Sequence, residues 1–191
     1  MNGLTVIAPP AELPLNGTEI KAHLRISDNG SEDALIDALI AAAVTHVERS
    51  TGRALVTRTL RYQAAGFPIC RGELAVPMPP LVAVESVKYY DAGGTLQTLD
   101  SDDYYVDDTT TPGRVVPVTT WPSTQCRPAA VQVTYTAGFG AKADVPADLI
   151  AALKLIVGHL FENREATSAA DLKVVPMAVE SLLLEYARPR L

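Results

Sequence analysis

The hydrophobic period of this chain changes twice along its length, and that switch restricts the possible folds more than any other feature. From Ser31 to Leu55, SEDALIDALIAAAVTHVERSTGRAL carries Leu35, Ile36, Leu39, Ile40, Val44 and Val47 at helical spacing. Glu32, Asp33 and Asp37 crowd its N-terminal end, and Arg49 and Arg53 lie at or just past the other, the arrangement a helix macrodipole prefers. Gly52 is a natural left-handed stop. From Ala54 to Gly140 the pattern becomes short runs of Val, Leu, Thr and Tyr separated by turn residues. Beyond Pro146 the helical period returns, with Leu149, Ile150, Leu153, Ile156, Val157, Leu160 and Phe161 on one face. The expectation is an α+β fold in which N-terminal and C-terminal helices make a bundle and an antiparallel β module is inserted between them. The corresponding division is a helical part over 1–53, a β module over 54–140, and a C-terminal helical part with a tail over 141–191.

Smaller signals fill in this frame. A short helix, TEIKAHLRI, places Ile20 and Leu24 on one face, with Thr18 as its expected cap. Val56, Arg58, Leu60 and Tyr62 share one side of an expected strand, and Pro77, Pro79 and Pro80 form a stiff link. VESVKYYDAGGTLQTLD reads as a hairpin turning at Asp91, Ala92, Gly93 and Gly94, residue types that tolerate positive φ. The acidic run from Asp100 to Asp108 reads as a solvated loop without the fixed glycine and terminal glutamate of a calcium loop. Pro112 and Gly113 form a turn into a strand, and AVQVTYTAGFG closes the module. Gly158 inside the late helix costs about 1 kcal/mol relative to alanine, tolerable if a neighbour packs closely there. Ala41, Ala42 and Ala43 remove bulk from the long helix and suggest a packing face, within the subunit first and between subunits second. A last helix, from about Pro176 to Tyr186, carries Val179, Leu182, Leu183 and Tyr186 and is followed by ARPRL.

The chain offers little chemistry. With 48% hydrophobic residues over 191 positions it can bury a core, which excludes global disorder. A formal charge of −6 argues against broad phosphate-backbone binding, which needs clustered Lys and Arg. Cys70 and Cys126 are far apart and without metal-ligand spacing, so neither a zinc site nor a disulfide framework is indicated. No basic region precedes an apolar core at the N-terminus, whose apolar run is broken by Pro9 and Pro10, and no run is long enough to span a bilayer. His159 and Glu162 lie three apart on a helix, the spacing of many metal sites, but no second pair matches them. His23 and His46 are isolated, TAGFGAK lacks the spacing of a phosphate loop, and no serine or cysteine has a nucleophile's context. The expectation is no catalytic residue, no metal, no cofactor and no membrane contact.

KAHLRI followed by EDALIDALIAAAVTHVERSTGRAL, then VESVKYYDAGGT, the pair Trp121 and Pro122, AVQVTYTAGFG, VPADLIAALKLIVGHLFENRE and a short last helix resemble, in that order, the bacteriophage head-to-tail connector family. These are adaptor or head-completion proteins of tailed phages and of phage-derived gene transfer agents. The resemblance implies a non-enzymatic subunit, assembled in the bacterial cytoplasm and residing in the particle neck. It also implies a ring of about twelve copies, closed by a heterologous interface. Such a ring sits below the portal protein, extends the channel through which DNA passes without sequence-specific binding, and offers a surface to the next tail or neck protein. On the same basis Leu182, Leu183, Tyr186, Arg188 and Arg190 are expected to dock on the portal or a neighbouring copy. Two other readings are a small metal-dependent enzyme using His159 and Glu162, and a ring-forming tail terminator, which would be β-dominated. The β module is longer than in simpler adaptors.

Overall fold

A computed structural model describes residues 3–26, 30–69, 72–163 and 177–187. The chain forms two compact units, one of Met1–Ala11 with Thr57–Phe139 and the other of Glu12–Val56 with Gly140–Leu191.

The second unit is helical. Its elements are α1 (Gly17–Leu24), α2 (Asp33–Thr51), α3 (Ala147–Glu162) and α4 (Met177–Leu184). Asn16, not Thr18, caps α1. Asn16 Oδ1 accepts the Glu19 N–H at 2.9 Å, while Glu19 Oε2 accepts the Asn16 N–H at 3.0 Å. This reciprocal box needs an acid or amide three residues after the cap; Asn16 has Glu19 there, whereas Thr18 would have Lys21. Helix α2 ends where its glycine predicts: Gly52 has φ of 65° and its N–H reaches the Glu48 carbonyl at 2.8 Å. Ile36, Ile40, Ala43, Val44 and Val47 of α2 are buried, as are Leu149, Ala152, Leu153, Ile156 and Val157 of α3. Helix α2 packs on α3, and α1 and α4 pack against both. Gly158 sits beside α1, where an added Cβ would lie 3.4 Å from Leu24 Cδ2, the close neighbour its place in a helix calls for.

The other unit holds two antiparallel sheets. Its strands are β1 (Gly3–Ala8), β2 (Arg58–Ala64), β3 (Leu74–Ala75), β4 (Leu81–Tyr90), β5 (Leu96–Leu99), β6 (Tyr104–Asp107), β7 (Arg114–Pro117) and β8 (Val131–Ala137). One sheet runs β1-β2-β8-β4-β5 and the other β3-β7-β6. Central β8 alternates strictly, with Val131, Val133, Tyr135 and Ala137 all buried, so one face of the sheet makes the core. The buried Tyr135 hydroxyl donates to the Pro77 carbonyl at 2.6 Å. The hairpin between β4 and β5 turns as expected. Asp91 Oδ1 accepts the N–H groups of Gly93 and Thr95 at 2.9 and 3.0 Å, and Gly94 has φ of 83°.

Two expectations change. The residues before α1, expected in the helical part over 1–53, supply β1, which pairs with β2 from Gly3 opposite Gln63 to Ala8 opposite Thr59. Leu4, Val6 and Ile7 of β1 remain 43%, 50% and 44% exposed, so this edge strand has no alternating buried face to betray it. The acidic run after Asp100 is not all loop. A single 3₁₀ turn, Ser101–Asp103, leads into β6, whose edge position leaves Tyr105 exposed and requires no acid to be buried.

Candidate assembly interface

The expected interface residues lie on helices, so their exposure follows from which face each helix buries. An α-helix turns about 100° per residue, so three consecutive alanines cannot share one face. Ala43 is fully buried, whereas Ala41 and Ala42 are exposed and border a shallow depression with Thr45, His46 and Arg49. Packing within the subunit, the first expectation for this triplet, holds for Ala43 alone.

The last helix is largely occupied at home. Val179 is fully buried and Leu183 nearly so, since α4 packs on α3 and α2. Leu182 and Tyr186 are half-buried, and Tyr186 lies against Arg53, just past the end of α2. Leu183 is therefore core and not a free docking side chain. The apolar side chain that α4 does expose is Leu184, at 71%, which the periodicity did not single out. Arg188 and Arg190 lie outside the described residues, as does Cys70. Cys126 is free and exposed.

An open groove of about 720 Å³ runs along the helical unit. Pro14 and Leu15 before α1, Ala143 and Val145 of the segment before α3, and Ala147, Ile150 and Ala151 of α3 give it apolar walls. Its polar groups are Glu12, Glu19, Lys142 and Lys154. Lys142 Nζ donates to Glu19 Oε2 at 2.6 Å, tying α1 to the segment before α3. That hydrogen bond holds the Glu19 carboxyl below its ordinary range, with further help from the Asn16 N–H and from Lys154, against a smaller opposing effect of burial. The groove was not legible in the sequence, because its walls come from segments more than a hundred positions apart.

His159 and Glu162 do line one cleft, together with His23, Leu24, Arg25, Leu155 and Gly158. Among the described residues, no group of three or more His, Cys, Asp or Glu side chains converges as a metal site. His159 Nδ1 lies 3.3 Å from the Asn163 side-chain nitrogen. Among the same residues, no helix is long and apolar enough to cross a membrane.

Among the described residues the class of the fold is α+β, one unit of four helices and one of two antiparallel sheets. Residues 18–90 match the model of the phage gp6-like head-tail connector protein family. Over nearly the whole chain the fold is similar to chains of three solved structures. The first is the neck of an empty gene transfer agent particle computed with C6 symmetry, with a TM-score of 0.79 at 22% identity, covering 99% of this chain and 97% of that one. The second is the virion of a native gene transfer agent particle, with a TM-score of 0.81 at 23% identity and coverage of 98% and 96%. The third is the neck of a native particle computed with C12 symmetry, with a TM-score of 0.77 at 23% identity and coverage of 100% and 97%. No curated protein matches the chain. The family match thus covers residues 18–90, and the likeness of fold extends over nearly the whole chain.

Proposed function

We propose that this chain is a non-enzymatic structural subunit of the neck of a tailed phage or phage-like particle. It forms a ring below the portal protein, extends the DNA channel and presents an attachment surface to the next neck or tail component. The observation that carries this reading is the match of the family over 18–90 combined with a likeness of fold over nearly the full chain to gene transfer agent necks. The charge of −6 supports it, since a channel through which DNA slides gains nothing from gripping phosphates. The exposed Ala41 and Ala42 on α2, with no large side chain between them, offer a neighbouring copy a close helix approach. A tail terminator fits less well because one of the two compact units is helical, with four α-helices among the described residues. A metal enzyme at His159 and Glu162 lacks a third converging ligand among the described residues.

The test is reconstitution. Heads carrying portal but lacking this protein are mixed with the purified chain and imaged by electron cryomicroscopy. A ring of added density at the portal, followed by recovery of tail joining, is the expected result. Heads that join tails at the normal rate without the chain, or that show no added density with it, overturn the proposal. Elemental analysis that finds a stoichiometric transition metal lost on His159→Ala substitution would favour the enzyme reading.

A further inference from the structure

We infer that the groove between the lead into α1 and the start of α3 is the receptor for the end of α4 of a second copy, with Leu184 as the inserted side chain. The inference rests on the ring reading and supplies one of its contacts.

A ring needs two different, mutually complementary patches on each subunit, because head-to-tail contacts join one surface to another. The helical unit carries such a pair. Its apolar hole is the groove walled by Ala147, Ile150 and Ala151. Its apolar knob is Leu184, 71% exposed on a helix whose neighbouring leucines, Leu182 and Leu183, are half-buried and buried. At that exposure Leu184 does not fill the groove of its own chain. Charge matches as well. Beside Leu184 stands the exposed Glu185, and the groove presents Lys154, whose charge already acts on Glu19. Lys142 and Glu19 satisfy each other. Glu12 is the remaining acid on the groove. An insertion that buries Leu184 thus brings the acid Glu185 to the base Lys154, with a hydrophobic centre and a charged rim.

Cysteine pairing tests this on the full chain carrying Cys70→Ser and Cys126→Ser. Ala151→Cys and Leu184→Cys lie on exposed positions, and folding of each variant is checked by circular dichroism. The two single variants, mixed and oxidised at high protein concentration or on portal-bearing heads, are expected to give a disulfide-linked dimer, and the double variant a ladder of linked chains. Independently, Glu185→Lys and Lys154→Glu are each expected to weaken self-association about ten-fold or more, with the double swap recovering most of it, as like charges brought together across an interface repel. If light scattering or microscopy shows rings but no link forms between positions 151 and 184, this contact is wrong and the ring reading stands. If the double variant closes its disulfide within one chain, the second-copy assignment is wrong. If neither rings nor links form under any of these conditions, both fail.

Discussion

Arg53 Nε donates to the Tyr186 carbonyl at 3.1 Å while its guanidinium stands 5.7 Å from the centroid of the Tyr186 ring. One arginine just past α2 thereby holds the end of α4 through a hydrogen bond and a cation–π contact. Burial, and then the nearby carboxylates of Asp148 and Glu185, raise the Tyr186 hydroxyl above its ordinary range against a smaller opposing effect of Arg53 itself.

Loss of this clamp has a measurable cost. Arg53→Ala is expected to lower stability by about 1–2 kcal/mol, the sum of a hydrogen bond and an exposed cation–π contact. Arg53→Lys keeps the charge but not the planar fork and should recover less than half. Urea unfolding followed by circular dichroism measures both. Truncation after Glu185 removes the same partner, so a truncated chain with an unchanged midpoint would show that the clamp contributes nothing.

Glu48 is buried near the end of α2, and its Oε1 accepts the Leu55 N–H at 3.2 Å. Leu55 is itself fully buried, so an acceptor removed from this place leaves a donor with little access to water. Glu48→Ala is expected to cost about 1–3 kcal/mol. Glu48→Gln retains an acceptor and should cost less, with the difference read from unfolding midpoints.

Two glycines predict opposite results. A Cβ on Gly113 would meet the Leu81 Cβ at 2.5 Å, closer than carbon atoms approach, so Gly113→Ala must displace β4 or the turn and should cost about 1–3 kcal/mol. A Cβ on Gly158 would meet Leu24 Cδ2 at 3.4 Å, the end of a flexible side chain. Alanine's helix preference of about 1 kcal/mol then dominates, and Gly158→Ala should leave stability unchanged or raise it. Thermal unfolding of the two variants side by side checks the contrast.

The hydrogen bond from Lys142 to Glu19 gives the helical unit a definite response to acid. Because the folded carboxyl titrates below its ordinary range, the unfolded chain takes up a proton first as pH falls. The contribution is fully present near neutral pH and is lost as pH drops through the ordinary glutamate range, about 4, towards the lower folded value. Glu19→Gln should therefore show a shallower loss of stability between about pH 5 and 3 than the unsubstituted chain. Parallel slopes in urea titrations across that range would remove Glu19 from the account. The pair is half-buried and still reached by solvent, so added salt should shrink the difference in part.

What the sequence by itself determined are the features whose causes lie within a few residues. The 3.6-residue period of α2 and α3, the left-handed stop at Gly52, the turn from Asp91 to Gly94 and the alternation of β8 all stand where the pattern put them. Each depends on a local hydrogen bond or on which side of one element is apolar. Tertiary structure decided the rest. β1 is a strand because β2 supplies its ladder, fifty residues on by sequence, and β6 is one because β7 stands beside it. Of three adjacent alanines Ala43 went inside, since the azimuth of α2 against α3 is set by their whole faces. Likewise Leu183 was buried and Leu184 left out by the seat of α4, and Arg53 met Tyr186 across 133 positions of chain. A groove or a clamp of that span leaves no periodic trace, because the free energy that forms it comes from contacts between segments whose separation no local window contains.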